Sequence, residues 1–252
     1  MILFVFEGGK AEPLVFDSLK RLLLTKEEVR VVTCKHDLPT LFSKLKNNDY
    51  DLFRSLPLEE NGIEIPKDVR LDTLFSQIFL FFDYDFQNRI GLEKVNEILS
   101  EMLEYFDDET GNGKLYVNYP MVESLKYTKE LPDEHYAEYV VSRETCASHK
   151  FKGLAEAFAY PGAKQYRFID LTKTSAEDVR RNWHLLIQQN VSKANFIVSD
   201  RNEMPIKKHV IDQIAIFEGQ KSKYVDVDET VADNITQMIP PIAHQTVPAL
   251  AH

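Results

Sequence analysis

Along the first 130 residues, short unbroken apolar runs alternate with stretches whose apolar residues recur every three or four positions. The first run, Met1 to Phe6, passes straight into Glu7-Gly8-Gly9-Lys10-Ala11-Glu12. A short continuous apolar segment bounded by turn residues predicts a strand buried on both faces. Gly8-Gly9 permits a sharp turn. Pro13 suits the opening of a helix over residues 13 to 25, with Leu14, Phe16, Leu19, Leu22 and Leu23 on its apolar side. The β-branched stretch Val29 to Cys34 predicts a second strand. Asp37 then caps a helix that turns Leu41, Phe42 and Leu45 inward. Residues 47 to 72 are charged and irregular, with room for one more short helix.

Ile78 to Phe82 repeats the opening pattern and ends in Asp83-Tyr84-Asp85. Residues 91 to 106 have helical spacing, with Leu92, Val95, Ile98, Leu99, Met102 and Leu103 on one face. A turn over 107 to 113 leads to a strand over 114 to 120, and Met121 to Tyr127 reads as the start of a helix. This alternation predicts an α/β domain, a mainly parallel sheet flanked by helices, over residues 1 to 130. Residues 131 to 252 read as a mostly helical extension. In it, Tyr139 to Ser142 is extended and His149, Lys150, Lys152 and Lys164 form a basic patch. A helix over 175 to 195 is capped by Ser175 or Thr174 and packs through Val179, Trp183, Leu186 and Ile187. His184, Gln188, Gln189 and Asn190 read as its solvated face. A further helix is expected over 205 to 219, and a poorly ordered tail from Pro240.

Composition narrows the function classes. With 30 Lys+Arg against 40 Asp+Glu, the 252-residue chain is acidic, which argues against a protein that coats duplex through a basic surface. Cys34 and Cys146 have neither metal-ligand nor disulfide-framework spacing, as expected in a reducing cytosol. No apolar stretch reaches membrane-spanning length, and the first run is too short for a signal peptide, so a soluble cytoplasmic protein is expected. The histidines show no zinc spacing, and neither Ser124 nor Cys146 has a nucleophile setting.

The chemistry lies at the strand ends. Glu7 falls at the carboxyl end of a parallel strand, where open α/β sheets bind ligands. Its turn carries two carboxylates and lacks the Gly-Lys-Ser/Thr of a phosphate-binding loop, so a metal fits better than a bare nucleotide. Asp83 and Asp85 are two apart, so both can face one side. Together with Glu7 and Glu12 they offer hard oxygen ligands suited to Mg²⁺ or Mn²⁺. Glu123, after the fourth strand, is a further candidate. Lys10 and Lys126 could hold a phosphate, although each also reads as an ordinary surface lysine.

Glu7-Gly8-Gly9-Lys10-Ala11-Glu12-Pro13, followed by Asp83-Tyr84-Asp85, resembles the Toprim fold of topoisomerases, bacterial primases and OLD-type nucleases. It is closer to the RloB-like and abortive-infection proteins, whose relatives accompany ABC-type ATPases in anti-phage systems. Tyr119-Pro120-Met121-Val122-Glu123-Ser124 falls where that family has Asn-Pro-x-x-Glu, with Tyr119 in place of Asn. The resemblance covers about residues 1 to 130. It implies a divalent-metal-dependent nuclease in which Glu7, Asp83 and Asp85 hold one or two Mg²⁺ or Mn²⁺ ions and Glu12 and Glu123 complete the site. Lys10 or Lys126 would neutralise the scissile phosphate, in a two-metal hydrolysis of DNA or RNA such as tRNA. It also implies a toxic defence effector with an ABC/AAA-type ATPase partner and a tendency to homo-oligomerise; no membrane partner is expected, from the apolar-run lengths above. Two other readings compete: a non-catalytic regulatory subunit that only binds its partner, and a primase-like nucleotidyl transferase.

Overall fold

The computed structural model describes residues 1–64, 71–205, 212–225 and 234–236. These form two compact units, one of Met1–Pro13 with Lys26–Val117 and the other of Leu14–Thr25 with the chain from Asn118 onward.

The first unit is built on β1 (Ile2–Phe6), β2 (Val29–Thr33), β3 (Gln77–Asp83), β4 (Asp107–Asp108) and β5 (Gly113–Asn118). The mostly parallel sheet has the order β2-β1-β3-β5-β4. β1 lies between β2 and β3, parallel to both, with Phe6 level with Thr33 and Phe81. All five residues of β1 are buried, as the unbroken apolar run predicts for a central strand. Phe4, Phe79, Phe81 and Tyr116 stack across neighbouring strands, with Phe4–Phe79 at 5.1 Å and Phe81–Tyr116 at 5.2 Å between centroids. On β2, the exposed Arg30 interrupts buried positions. The Asn61 side chain accepts from Thr33 N–H at 2.9 Å and donates to Thr33 C=O, so it covers backbone groups at the end of that strand.

The helices here are α1 (Ala11–Leu23, only its start in this unit), α2 (Leu38–Asn47), α3 (Leu52–Ser55), α4 (Leu71–Leu74) and α5 (Leu92–Tyr105). Asp37 caps α2 by accepting from Thr40 N–H, and Leu41, Phe42 and Leu45 are buried, as expected. α5 buries Val95, Ile98, Leu99, Met102 and Leu103. The irregular stretch before β3 holds more helix than the one short piece expected, since a 3₁₀ turn over Glu59–Asn61 joins α3 and α4. Gly113 enters β5 at φ +115°, and a Cβ there would lie 2.9 Å from Leu80 Cδ1, so this turn requires glycine.

In the second unit, Met121 to Tyr127 does not open an α-helix; it is a 3₁₀ helix over Val122–Lys126. All five of its residues are buried, leaving no solvent face for an amphipathic helix, and Ser124 Oγ donates back to Tyr119 C=O. β6 (Val140–Ser142) pairs antiparallel with β7 (Asn234–Thr236), so this unit also carries a small sheet. Next come α6 (Arg143–Ala147), α7 (Phe151–Phe158) and α8 (Ala176–Ser199). α8 is capped by Ser175 and runs one turn beyond the predicted end. Trp183 is buried on it and donates from Nε1 to Ser18 Oγ at 2.9 Å. α9 is Gln213–Gln220, capped by Asp212, so the helix expected from 205 starts later; residues 206–211 of that expectation lie outside the described residues, as does the tail from Pro240.

The predicted solvated face of α8 is a correction. His184 is exposed, but Gln189 and Asn190 are buried. Gln189 Oε1 accepts from Asp133 N–H, and Asn190 Oδ1 from Tyr136 O–H. Lys193, fully buried one turn later, donates to the carbonyls of Tyr136 and Tyr139. Sequence polarity suggested water, whereas backbone groups and the Tyr136 hydroxyl supply the partners.

Candidate acidic site

Because β1, β2 and β3 run parallel and in register, their carboxyl ends finish at one edge of the sheet. Glu7 sits where β1 ends. Its N–H donates to Phe81 C=O at 3.1 Å and its C=O accepts from Lys35 N–H at 2.8 Å, so the ladder still holds its backbone on both sides. The Glu7 carboxylate accepts from Asp83 N–H at 2.9 Å, tying the β1 and β3 ends together. After the turn, Glu12 reaches back from the start of α1 to accept from Gly8 N–H at 2.9 Å. A Cβ on Gly8 would lie 2.7 Å from both Glu12 carboxylate oxygens, so this closure requires glycine at that position.

Asp83 is the last residue of β3, and Asp85 follows in the loop. Between them Tyr84 is buried, its hydroxyl donating to Asn96 Oδ1 at 2.6 Å. Gln87 Nε2 donates to Asp85 Oδ1, and Asn88 Nδ2 to Asp37 Oδ2, which brings the α2 cap residue to the same edge. Burial, then the Asp85 charge, and further the charges of Glu12 and Asp37 push the Glu7 carboxyl up to about 8, against the opposing hydrogen bond from Asp83 N–H. Four acids therefore share one electrostatic neighbourhood, and near neutral pH burial, with their repulsion added, favours the protonated form of Glu7. Burial, opposed by the Lys44 charge and aided by that of Glu7, raises the nearby Cys34 thiol to about 11.

Sequence reasoning placed Glu7, Glu12, Asp83 and Asp85 at this edge but treated Asp37 as a cap alone. The signal was present: Asp37 follows a strand parallel to the first. Lys10 is exposed in the turn. Glu123 and Lys126 belong to the second unit and have partners of their own there. Glu123 pairs with Lys152 at 3.1 Å, and Lys126 with Glu156 at 2.7 Å, its ammonium 4.9 Å from the Tyr166 ring. Lys126 is buried, not the surface lysine its sequence setting allowed.

Hard carboxylate oxygens are the donor type that Mg²⁺ and Mn²⁺ prefer. Beyond burial, the charges of Asp85, Glu12 and Asp37 also raise the Glu7 carboxyl, and a cation at this edge would offset that repulsion. Among the described residues, no three His, Cys, Asp or Glu side chains are arranged as a ready metal cage. No helix among the described residues is long and apolar enough to cross a membrane. No family model, curated protein or solved structure matches this chain.

Proposed function

We propose that the acidic edge of the first unit binds Mg²⁺ or Mn²⁺ and that the protein is a metal-dependent nuclease. The supporting observation is that Glu7, at the end of β1, is bonded to Asp83 N–H and shares its surroundings with Asp85, Glu12 and Asp37, whose charges add to burial in raising its carboxyl. Glu7, Asp83 and Asp85 would be the principal ligands, with Glu12 holding the turn. A bound divalent ion would supply a lowered water pKa and charge stabilisation at phosphorus. The chain's own contributions are to align Glu7 through Asp83 N–H and to set the turn through the Glu12–Gly8 bond. Lys10, exposed in the turn, would meet a phosphate oxygen in this reading. The motif resemblance alone supports a defence-effector role, an ATPase partner and self-assembly. Two buried free thiols fit a cytoplasmic setting.

The test is cleavage of labelled single-stranded DNA, duplex DNA and tRNA with Mn²⁺, with Mg²⁺, and with chelator. Cleavage that needs the cation and falls at least about 100-fold in Asp83→Ala/Asp85→Ala supports the reading. Activity that persists in that variant, or no cleavage of any of these substrates, overturns it.

A further inference from the structure

His149, Lys150, Lys152 and Lys164, which form the basic patch of the sequence, are all exposed on the second unit, away from the acidic edge. Between Glu144 and Asp170 the only acid is Glu156. Its carboxylate is committed within the unit, accepting from Lys126 Nζ at 2.7 Å and from Gln165 N–H at 3.3 Å. The Lys126 bond foremost, then the Gln165 N–H and the nearby Lys164 charge, outweigh burial and hold the Glu156 carboxyl below the usual range. Lys152 stands one helical turn before Glu156 on α7 and so shares its side of the helix. It reaches Glu123 at 3.1 Å, yet its side chain stays 66% exposed while that of Glu123 is buried.

Two carboxylates, Glu123 and Glu156, thus stand against buried Lys126 and exposed Lys152 and Lys164, and Lys150 adds a further charge at the start of α7. The balance leaves a positive face on an acidic chain. α7 turns Phe151 and Ala155 inward and presents Lys152, Gly153, Leu154 and Ala157 outward. A Cβ on Gly153 would meet nothing within 4 Å, so the surface beside Lys152 is open. A membrane fits this face poorly, because a helix lying in lipid turns its apolar side outward. Here the aromatic side chains are engaged within the unit, Phe158 stacking on Tyr127 at 4.1 Å, and Leu154 is the one exposed large apolar side chain of α7. A nucleic acid carries a charge at every phosphate and releases a counterion at each lysine contact, so spaced ammonium groups on an open surface suit it.

We propose that this face of the second unit binds the phosphodiester backbone of a nucleic acid, with Lys150, Lys152 and Lys164 contacting phosphates and little preference among bases. The proposal goes beyond the nuclease reading and does not depend on it, because the contact needs no metal ion.

The test is fluorescence anisotropy of a labelled single-stranded oligonucleotide of mixed sequence, titrated with the full chain in chelator. At about 50 mM salt the dissociation constant should lie below about 100 μM, and log K should fall against log salt with a slope of about −2 for three contacts. Lys150→Ala/Lys152→Ala/Lys164→Ala should weaken binding at least about 10-fold and remove most of the slope. Because Lys152 also pairs with Glu123, a second variant leaves that pair intact. Gly153→Glu enters open space on a helix and should weaken binding at least about 3-fold, while Gly153→Ala binds normally. Lys46→Ala/Lys94→Ala/Lys173→Ala removes the same charge from paired lysines elsewhere and should bind within about 2-fold of wild type. The proposal is overturned by binding no tighter than about 1 mM, by an equal loss in that control, or by normal binding in a folded Gly153→Glu. Tighter binding to phosphatidylserine vesicles than to the oligonucleotide, or displacement by polyglutamate as effective as by unlabelled oligonucleotide, also overturns it. Cleavage lost in Asp83→Ala/Asp85→Ala with oligonucleotide binding intact would retain it and separate this face from the acidic edge.

Discussion

Glu7→Gln tests the electrostatics of the acidic edge most directly. The native carboxyl stands at about 8 against an ordinary 4.5. Below about pH 4.5 both folded and unfolded chains hold the proton, and the shift costs nothing. As pH rises towards 8, the unfolded chain ionises while the native chain does not, so native stability falls. Above about pH 8 the penalty is complete. The shift of about 3.5 units corresponds to roughly 5 kcal/mol as a ceiling. Side-chain relaxation and the part of Glu7 open to water bring a realistic value to about 2–3 kcal/mol. Glutamine keeps an oxygen for Asp83 N–H and carries no charge. In chelator at about pH 8.5 the variant should melt roughly 5–10 °C above wild type, and near pH 4 the two should coincide. Scanning calorimetry at both pH values is the assay. Equal differences at the two pH values, or a variant less stable in alkali, would refute the reasoning. Millimolar Mn²⁺ should close most of this gap: wild type gains about 2.7 kcal/mol at 100 times its Kd, and Glu7→Gln gains far less.

Three further substitutions probe other parts of the structure. Gly8→Ala places a methyl 2.7 Å from the Glu12 carboxylate, which should swing away from Gly8 N–H at a cost of about 0.5–1.5 kcal/mol in urea unfolding, with the Mn²⁺-induced stabilisation reduced as well. Burial opposes ionisation of Asp133, but donors from Lys129, Tyr139, His135 and Thr128 outweigh it and hold its carboxyl below the usual range. Its contribution is therefore present above about pH 3.9 and is lost as pH falls further; Asp133→Asn should cost roughly 2–4 kcal/mol at pH 7, and progressively less as acid protonates the native carboxyl. Trp183→Phe removes the donor to Ser18 Oγ and should cost about 1–2 kcal/mol, read from the urea midpoint; an unchanged midpoint would show that the bond contributes nothing net.

The sequence by itself determined the local elements and the ends where acids sit. Unbroken apolar runs marked β1 and β3, helical spacing marked α2, α5 and α8, and Asp37 and Ser175 marked two caps. These signals are short-range, because strand burial, helix amphipathicity and capping each involve residues within one or two turns. Tertiary structure alone decided which polar groups meet. Nothing local reveals that Asp83 N–H would hold Glu7, or that Asp37 would join the same acidic edge; both follow from the parallel register of β1, β2 and β3. Gln189, Asn190 and Lys193 look like solvated helix, and are buried because carbonyl and amide partners come from the Asp133–Tyr139 segment more than fifty residues earlier. Met121 to Tyr127 looks like a helix start and becomes a buried 3₁₀ turn for the same reason: burial is a property of the assembled chain, while sequence polarity records only what each residue would prefer alone.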